Sequence, residues 1–98
     1  MKFIFATTKL ERLYTKEQGA RRFSKLVIEA FFDVMGIIAT VKDERDLRNF
    51  KSLHYEKLEG KRSHQLSVAR HGAFRLILER EEDEEGKFLR IISIEDYH

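Results

Sequence analysis

A chain of 98 residues, 42% of them hydrophobic, is the size of one domain with a modest core, so a single unit spanning 1–98 is expected. With no cysteine it offers neither a disulfide scaffold nor a cysteine-built zinc or iron–sulfur site, and the cytoplasm is the expected location. The net charge of +2 is unevenly laid, with +7 on residues 1–75 and −5 on residues 76–98, where the acid concentrates in Glu79–Glu85.

In chain order, Met1–Ala6 is short, apolar and β-prone, which predicts an N-terminal strand. Its apolar stretch is too short for a signal peptide. No run approaches the roughly 20 apolar residues needed to span a bilayer, so no membrane association is expected. Thr8-x-x-Glu11 and Thr15-x-x-Gln18 both fit the capping box, predicting a helix of one to two turns ending near Tyr14 and a second helix after it. The second helix is marked by Ala20, Phe23, Val27, Ala30, Phe31, Val34 and Ile38, with Arg21, Arg22, Lys25, Glu29 and Asp33 on the opposite side. Asp43–Asn49 predicts a further helical turn with Leu47 and Phe50 facing inward.

Beyond that point the period becomes alternating. Leu66 and Val68, then Phe74, Leu76 and Leu78, then Phe88–Glu95 read as strands, with Gly60, Gly72 and Gly86 at the turns. The acidic run then sits at a hairpin tip, away from a basic body able to attract phosphate, although ordinary solvation of a loop explains the run by itself. The sum is an α+β domain: an N-terminal strand and two to three helices packed on a mostly antiparallel sheet of four to five strands.

The polar residues narrow the chemistry. His54, His64, His71 and His98 form no pair at metal-ligand spacing, so no metal is expected, and no cofactor. The five glycines are too scattered for a phosphate loop, and no serine has a Gly-x-Ser-x-Gly setting. What remains is the terminal Glu95-Asp96-Tyr97-His98, which Leu89–Ile94 would hold in place if the strand continues, placing Asp96 and His98 on one face and Tyr97 on the other.

Four stretches then carry a resemblance. They are Leu53-His54-Tyr55-Glu56-Lys57-Leu58-Glu59-Gly60-Lys61-Arg62, Gln65-Leu66-Ser67-Val68, Phe74-Arg75-Leu76-Ile77-Leu78-Glu79 and Ile94-Glu95-Asp96-Tyr97-His98. In order and spacing they resemble the HigB branch of the RelE/ParE toxin superfamily. Two positions depart from that pattern: Leu66 stands where an aromatic precedes the serine, and Phe74 where tryptophan or tyrosine is common. The resemblance implies a RelE-like fold and the toxin of a type II toxin–antitoxin pair. Its implied activity is ribosome-dependent, metal-independent cleavage of mRNA by the 2′-hydroxyl, with an antitoxin of helix-turn-helix, HigA-like type as partner beside the ribosome and mRNA.

Carried over residue by residue, His54 and His98 are the acid–base candidates, their order open, because imidazole titrates near neutrality. Asp96 would orient or raise the pKa of a neighbouring histidine, and Tyr97 would stack on a base or bond a phosphate. Lys57, Arg75, Lys61 and Arg62 would neutralise phosphate, Arg75 with a bidentate grip, unless it is spent on a salt bridge to the acidic hairpin. Arg21, Arg22, Lys25 and Arg70 are candidates for ribosomal RNA contact, while His64 and His71, beside turns, are expected at the surface. Two other readings stand beside this one: a ParE-like gyrase inhibitor of the same fold without RNase activity, and a non-catalytic RNA- or ribosome-binding protein.

Overall fold

The computed structural model describes the backbone of residues 1–70 and 74–96, with every side chain in those spans except Arg70 and Asp96. The turn expected at Gly72 and the terminal Tyr97 and His98 lie outside the described residues. Strand β1 covers Phe3–Phe5, and helix α1 covers Thr8–Lys16. The cap is Thr7, one residue before the predicted box, its hydroxyl accepting the Leu10 amide at 3.2 Å. Thr15 caps nothing: it lies inside α1 and donates its hydroxyl to the Glu11 carbonyl at 2.9 Å. The helix stops where Glu17 turns left-handed at φ 53°, followed by Gly19 at φ 87°, a conformation that glycine adopts without a Cβ clash.

A 3₁₀ turn, Ala20–Arg22, intervenes before helix α2, Lys25–Thr40. Ser24 caps α2 by accepting the Val27 amide at 3.2 Å. Ala20 and Phe23, predicted on the apolar face of this helix, therefore precede it and pack half-buried against the core. Within the helix the predicted face holds: Val27, Ala30, Phe31, Val34 and Ile38 are buried, joined by Met35. Two 3₁₀ turns follow, Glu44–Asn49 and Lys51–Leu53, the first closed by a reciprocal box between Asp43 and Asp46. Leu47 is buried as predicted, but Phe50 is 40% exposed.

Strands β2 (Glu56–Lys57), β3 (Gln65–Arg70), β4 (Phe74–Asp83) and β5 (Gly86–Asp96) complete a five-stranded sheet in the order β1-β5-β4-β3-β2. Among the described residues only β1 pairs in parallel, with β5, so the sheet is mixed and mostly antiparallel, and the architecture is the expected α+β one. The acidic run is the distal half of the β4–β5 hairpin, which turns at Gly86 with φ 121°. Leu66, Val68, Phe74, Leu76, Leu78, Leu89 and Ile91 form the sheet side of the core beneath α1 and α2. Leu89, Ile91 and Ile94 all join that side although the last step is three residues. The register slips between Ile77 and Leu78, whose partners are Ser93 and Ile91, so Ile92 is accommodated as a bulge and β5 stays in phase. No helix is long and apolar enough to cross a membrane among the described residues.

Candidate functional site

The sheet topology decides which of the predicted residues meet. Since β2 runs antiparallel to β3 with Glu56 opposite Ser67, residues before Glu56 lie toward the end of β3. That is also where β4 begins and β5 finishes: Arg70, Phe74 and Asp96 are successive register partners across β3, β4 and β5, and Ala69, Arg75 and Glu95 form the next row. His54 and the end of β5 therefore share one end of the sheet, separated by β3 and β4. Three strand spacings, about 14 Å, lie between them.

His54 follows the Lys51–Leu53 turn, whose Leu53 is fully buried and packs the turn on β3. Its amide donates to the Lys51 carbonyl at 3.3 Å, its backbone is left-handed at φ 46°, and its side chain is exposed. A non-glycine residue in that region is held there by its neighbours, here by the buried Leu53 and the start of β2. Lys57 is exposed on β2 opposite Leu66. Arg75 is half-buried on β4, in register with Glu95 of β5 rather than with the acidic hairpin tip.

Lys61 and Arg62 occupy a 3₁₀ turn, Gly60–Arg62, on the β2–β3 connection, and both are exposed. They differ in engagement. Arg62 reaches over the sheet, its Nη2 2.7 Å from the Glu95 carboxylate and its Nε 3.0 Å from the Gln65 side chain. Gln65 in turn donates to Glu79 at 3.0 Å, and His64 Nε2 stands 3.6 Å from the same carboxylate. Phosphate would have to displace Glu95 to recruit Arg62. His64 is exposed, as expected, whereas His71 lies outside the described residues. Arg21, Arg22 and Lys25 are exposed around the α1–α2 connection, and Arg22 lines a cleft with Ile92, Ser93 and Ile94 of β5.

Two features were not anticipated from the residues alone. Glu44 is 1% exposed and accepts from Arg80 Nη1 at 2.8 Å, tying the first 3₁₀ turn to β4 and raising the pKa of that guanidinium. Beside it, the Asp43 carboxylate accepts from the Arg45 amide at 2.8 Å and from the Arg45 guanidinium at 3.2 Å. The second feature is a cavity of about 430 Å³ lined by Arg48, Phe50, Lys51, Tyr55 and Lys57, directly flanking His54. Basic and aromatic residues interleave from Arg48 to Lys57, which was the signal available in the sequence. A separate apolar cleft between α1 and β5, lined by Leu10, Leu13, Phe23 and Ile92 among others, includes Arg22 from the candidate RNA contacts and none of the predicted catalytic residues described. Among the described residues no group of three His, Asp or Glu side chains is arranged to hold a metal ion.

No family model matches the chain. No curated protein matches it either. Among solved structures the chain is similar to the YoeB/ParE toxin from Agrobacterium tumefaciens, with a TM-score of 0.57 and 14% identity over 100% of both chains. At that identity the likeness is one of fold.

Proposed function

We propose that the chain, acting as one unit over residues 1–98, is the toxin of a toxin–antitoxin pair and cuts mRNA in the ribosome. The observation that carries this reading is the convergence of separate sequence segments: His54, Arg75 and the strand that delivers Asp96 belong to one end of one sheet. The fold shared with a protein described as a YoeB/ParE toxin supports the class.

Cleavage by the 2′-hydroxyl needs a group to accept the 2′ proton, a group to protonate the departing 5′ oxygen, and positive charge for the phosphorane-like transition state. In this reading His54 and His98 exchange the protons from opposite sides of the scissile phosphate. Asp96 favours the imidazolium of a neighbouring histidine, and Tyr97 stacks on a base or bonds a phosphate. Arg75, Lys57 and Lys61 neutralise the phosphates, with Arg62 recruited from Glu95. A gap of about 14 Å between backbones suits an RNA strand lying across β3 and β4, with side chains reaching it from both flanks. Few catalytic groups suffice when the ribosome presents and distorts the message. The antitoxin, a helix-turn-helix protein in this reading, holds the toxin inactive in the cytoplasm.

The test is single-turnover cleavage of message on programmed ribosomes by wild type, His98→Gln and a chain ending at Asp96, with circular dichroism confirming folding. Glutamine keeps hydrogen bonding and removes the titrating proton, so His98→Gln should fall by about 100-fold, and the truncation at least as far. Equal rates for all three would sink the nuclease reading. A gyrase supercoiling assay on the same proteins would then test the ParE-like alternative, which the neighbour's description also names.

A further inference from the structure

Phe50 is where the structure departs most from the sequence expectation. Leu47 and Leu53, three residues to either side, are fully buried, yet Phe50 between them is 40% exposed. Its position is set by backbone: its amide donates to Leu47 at 3.2 Å, and its carbonyl accepts from Leu53 at 2.9 Å. A single exposed apolar side chain is common on a protein surface, so what distinguishes Phe50 is the company it keeps.

Its surroundings point to a ligand. The cavity it lines, about 430 Å³, is completed by Tyr55 and three cations, Arg48, Lys51 and Lys57, with no carboxylate in the lining among the described residues. Arg48 lies over the Tyr55 ring, 5.0 Å from its centroid. Among the described residues Arg48, Lys51 and Lys57 make no ion pair, whereas Arg45, Arg62, Arg80 and Arg90 are each matched with a carboxylate. Unmatched positive charge around flat aromatic surface suits a ligand that is both anionic and flat. A nucleotide of single-stranded RNA has those two properties, while an acidic peptide has only the first.

We infer that this cavity is a nucleotide subsite: a base stacks on Phe50 beside the Arg48–Tyr55 pair, and Lys51 and Lys57 hold the adjoining phosphate. The inference rests on the RNA-cleaving reading and deepens it. His54 is bonded through its amide to Lys51, so the nucleotide in the cavity neighbours the one at His54. The subsite fixes the register of the strand on the protein, and Phe50 and Arg48 are positioning residues for the reaction.

The experiment measures binding of a 2′-O-methyl RNA hexamer carrying 2-aminopurine, which cannot be cut by its own 2′-oxygen, in parallel with cleavage on programmed ribosomes. Phe50→Leu keeps an apolar side chain and removes the aromatic face, and it should lower hexamer affinity about 10-fold, as should Arg48→Gln. Lys51→Gln should weaken binding and reduce the salt slope by about one. Lys87→Gln, on the distal hairpin, should change neither. An abasic hexamer and hexaglutamate should compete poorly. The inference is overturned if wild type does not bind the hexamer, if Phe50→Leu and Arg48→Gln bind as wild type does, or if the abasic strand or hexaglutamate competes as well as the intact hexamer. If the variants bind normally while His98→Gln loses cleavage, the subsite fails and the nuclease reading stands. If the variants lose binding while wild type cuts no ribosomal message, the subsite stands and the nuclease reading fails.

Discussion

His54 sits at φ 46° and ψ 52°, a backbone region in which most side chains are strained and asparagine is tolerated. That separates two effects which an alanine substitution would mix. His54→Ala keeps the Cβ that makes this conformation costly and removes, together with the imidazole, the polar side chain that favours it. His54→Asn keeps a polar side chain at home in this conformation, so thermal unfolding should stay within about 0.5 kcal/mol of wild type. Cleavage should still fall by about 100-fold, because asparagine does not titrate. A folded, fully active His54→Asn protein would remove His54 from the chemistry. The residue type was legible in the sequence, as were Lys57 and Arg75. Their environments were not: the capture of Arg62 by Glu95 joins side chains distant in sequence, and the left-handed turn at His54 and the outward Phe50 follow from consecutive 3₁₀ turns that hydrophobic periodicity does not mark.

At the scale of elements, local periodicity carried most of the information, and it failed where a local rule had more than one solution. The face of α2 was readable because Val27, Ala30, Phe31, Val34 and Ile38 repeat at helical steps. Its start was not, because Ser24 caps alone, without the acidic partner three residues on that defines a box, while Thr15 fits the box and lies in the last turn of α1. Strand β5 is instructive in the same way. Leu89 and Ile91 alternate, then Ile94 comes one residue late, and only the bulge at Ile92 lets all three face the helices. Deleting Ile92 would restore strict alternation without moving Ile94 off the core side. The protein should therefore fold, losing about 1 kcal/mol of apolar burial from the cleft that Ile92 lines. Bulges bend and twist a strand and re-aim the residues beyond them. Proton transfer is sensitive to small misplacements, about 1 Å being enough to cost 100-fold. Cleavage should thus drop at least 10-fold in the deletion variant, because the segment leading to Tyr97 and His98 is redirected. Unchanged cleavage in a folded protein would show that the bulge serves packing alone.

Across the whole molecule, the strand order was the least legible feature, since β1 pairs with β5 from the far end of the chain and the candidate residues are spread over β2, β4 and β5. Charge was easier to read. The acidic arm is indeed remote: Asp83 and Gly86 close one end of the hairpin, and Phe74 and Asp96 pair at the other, about nine residues or 30 Å away. That exceeds three Debye lengths at physiological salt, so the acids at the tip leave the field at the site nearly untouched, whereas Glu79, five residues from Phe74 and about 17 Å away, bonds Gln65. The acids of the arm act locally. Glu81 pairs with Arg90 across β4 and β5, and Asp83 with Lys2 at 3.2 Å. The Arg90 hydrogen bond holds Glu81 below its ordinary value of 4.5, and the Lys2 hydrogen bond holds Asp83 below 3.8. A carboxyl whose folded pKa is depressed contributes stability that is complete above its unfolded pKa and is lost as pH falls through the folded one. The melting temperature should therefore be flat from about pH 7 down to about pH 5 with respect to these pairs, then decline through pH 4 and below. Glu81→Gln should melt lower than wild type at pH 7, with the difference closing at acid pH, while cleavage at pH 7 stays unchanged because the pair is far from His54 and Asp96. The measurement is a pH series of thermal melts on both proteins beside ribosomal cleavage at pH 7. A difference that persists at pH 3 would show Glu81 to act through packing instead of charge, and a loss of cleavage would show that the hairpin arm communicates with the site after all.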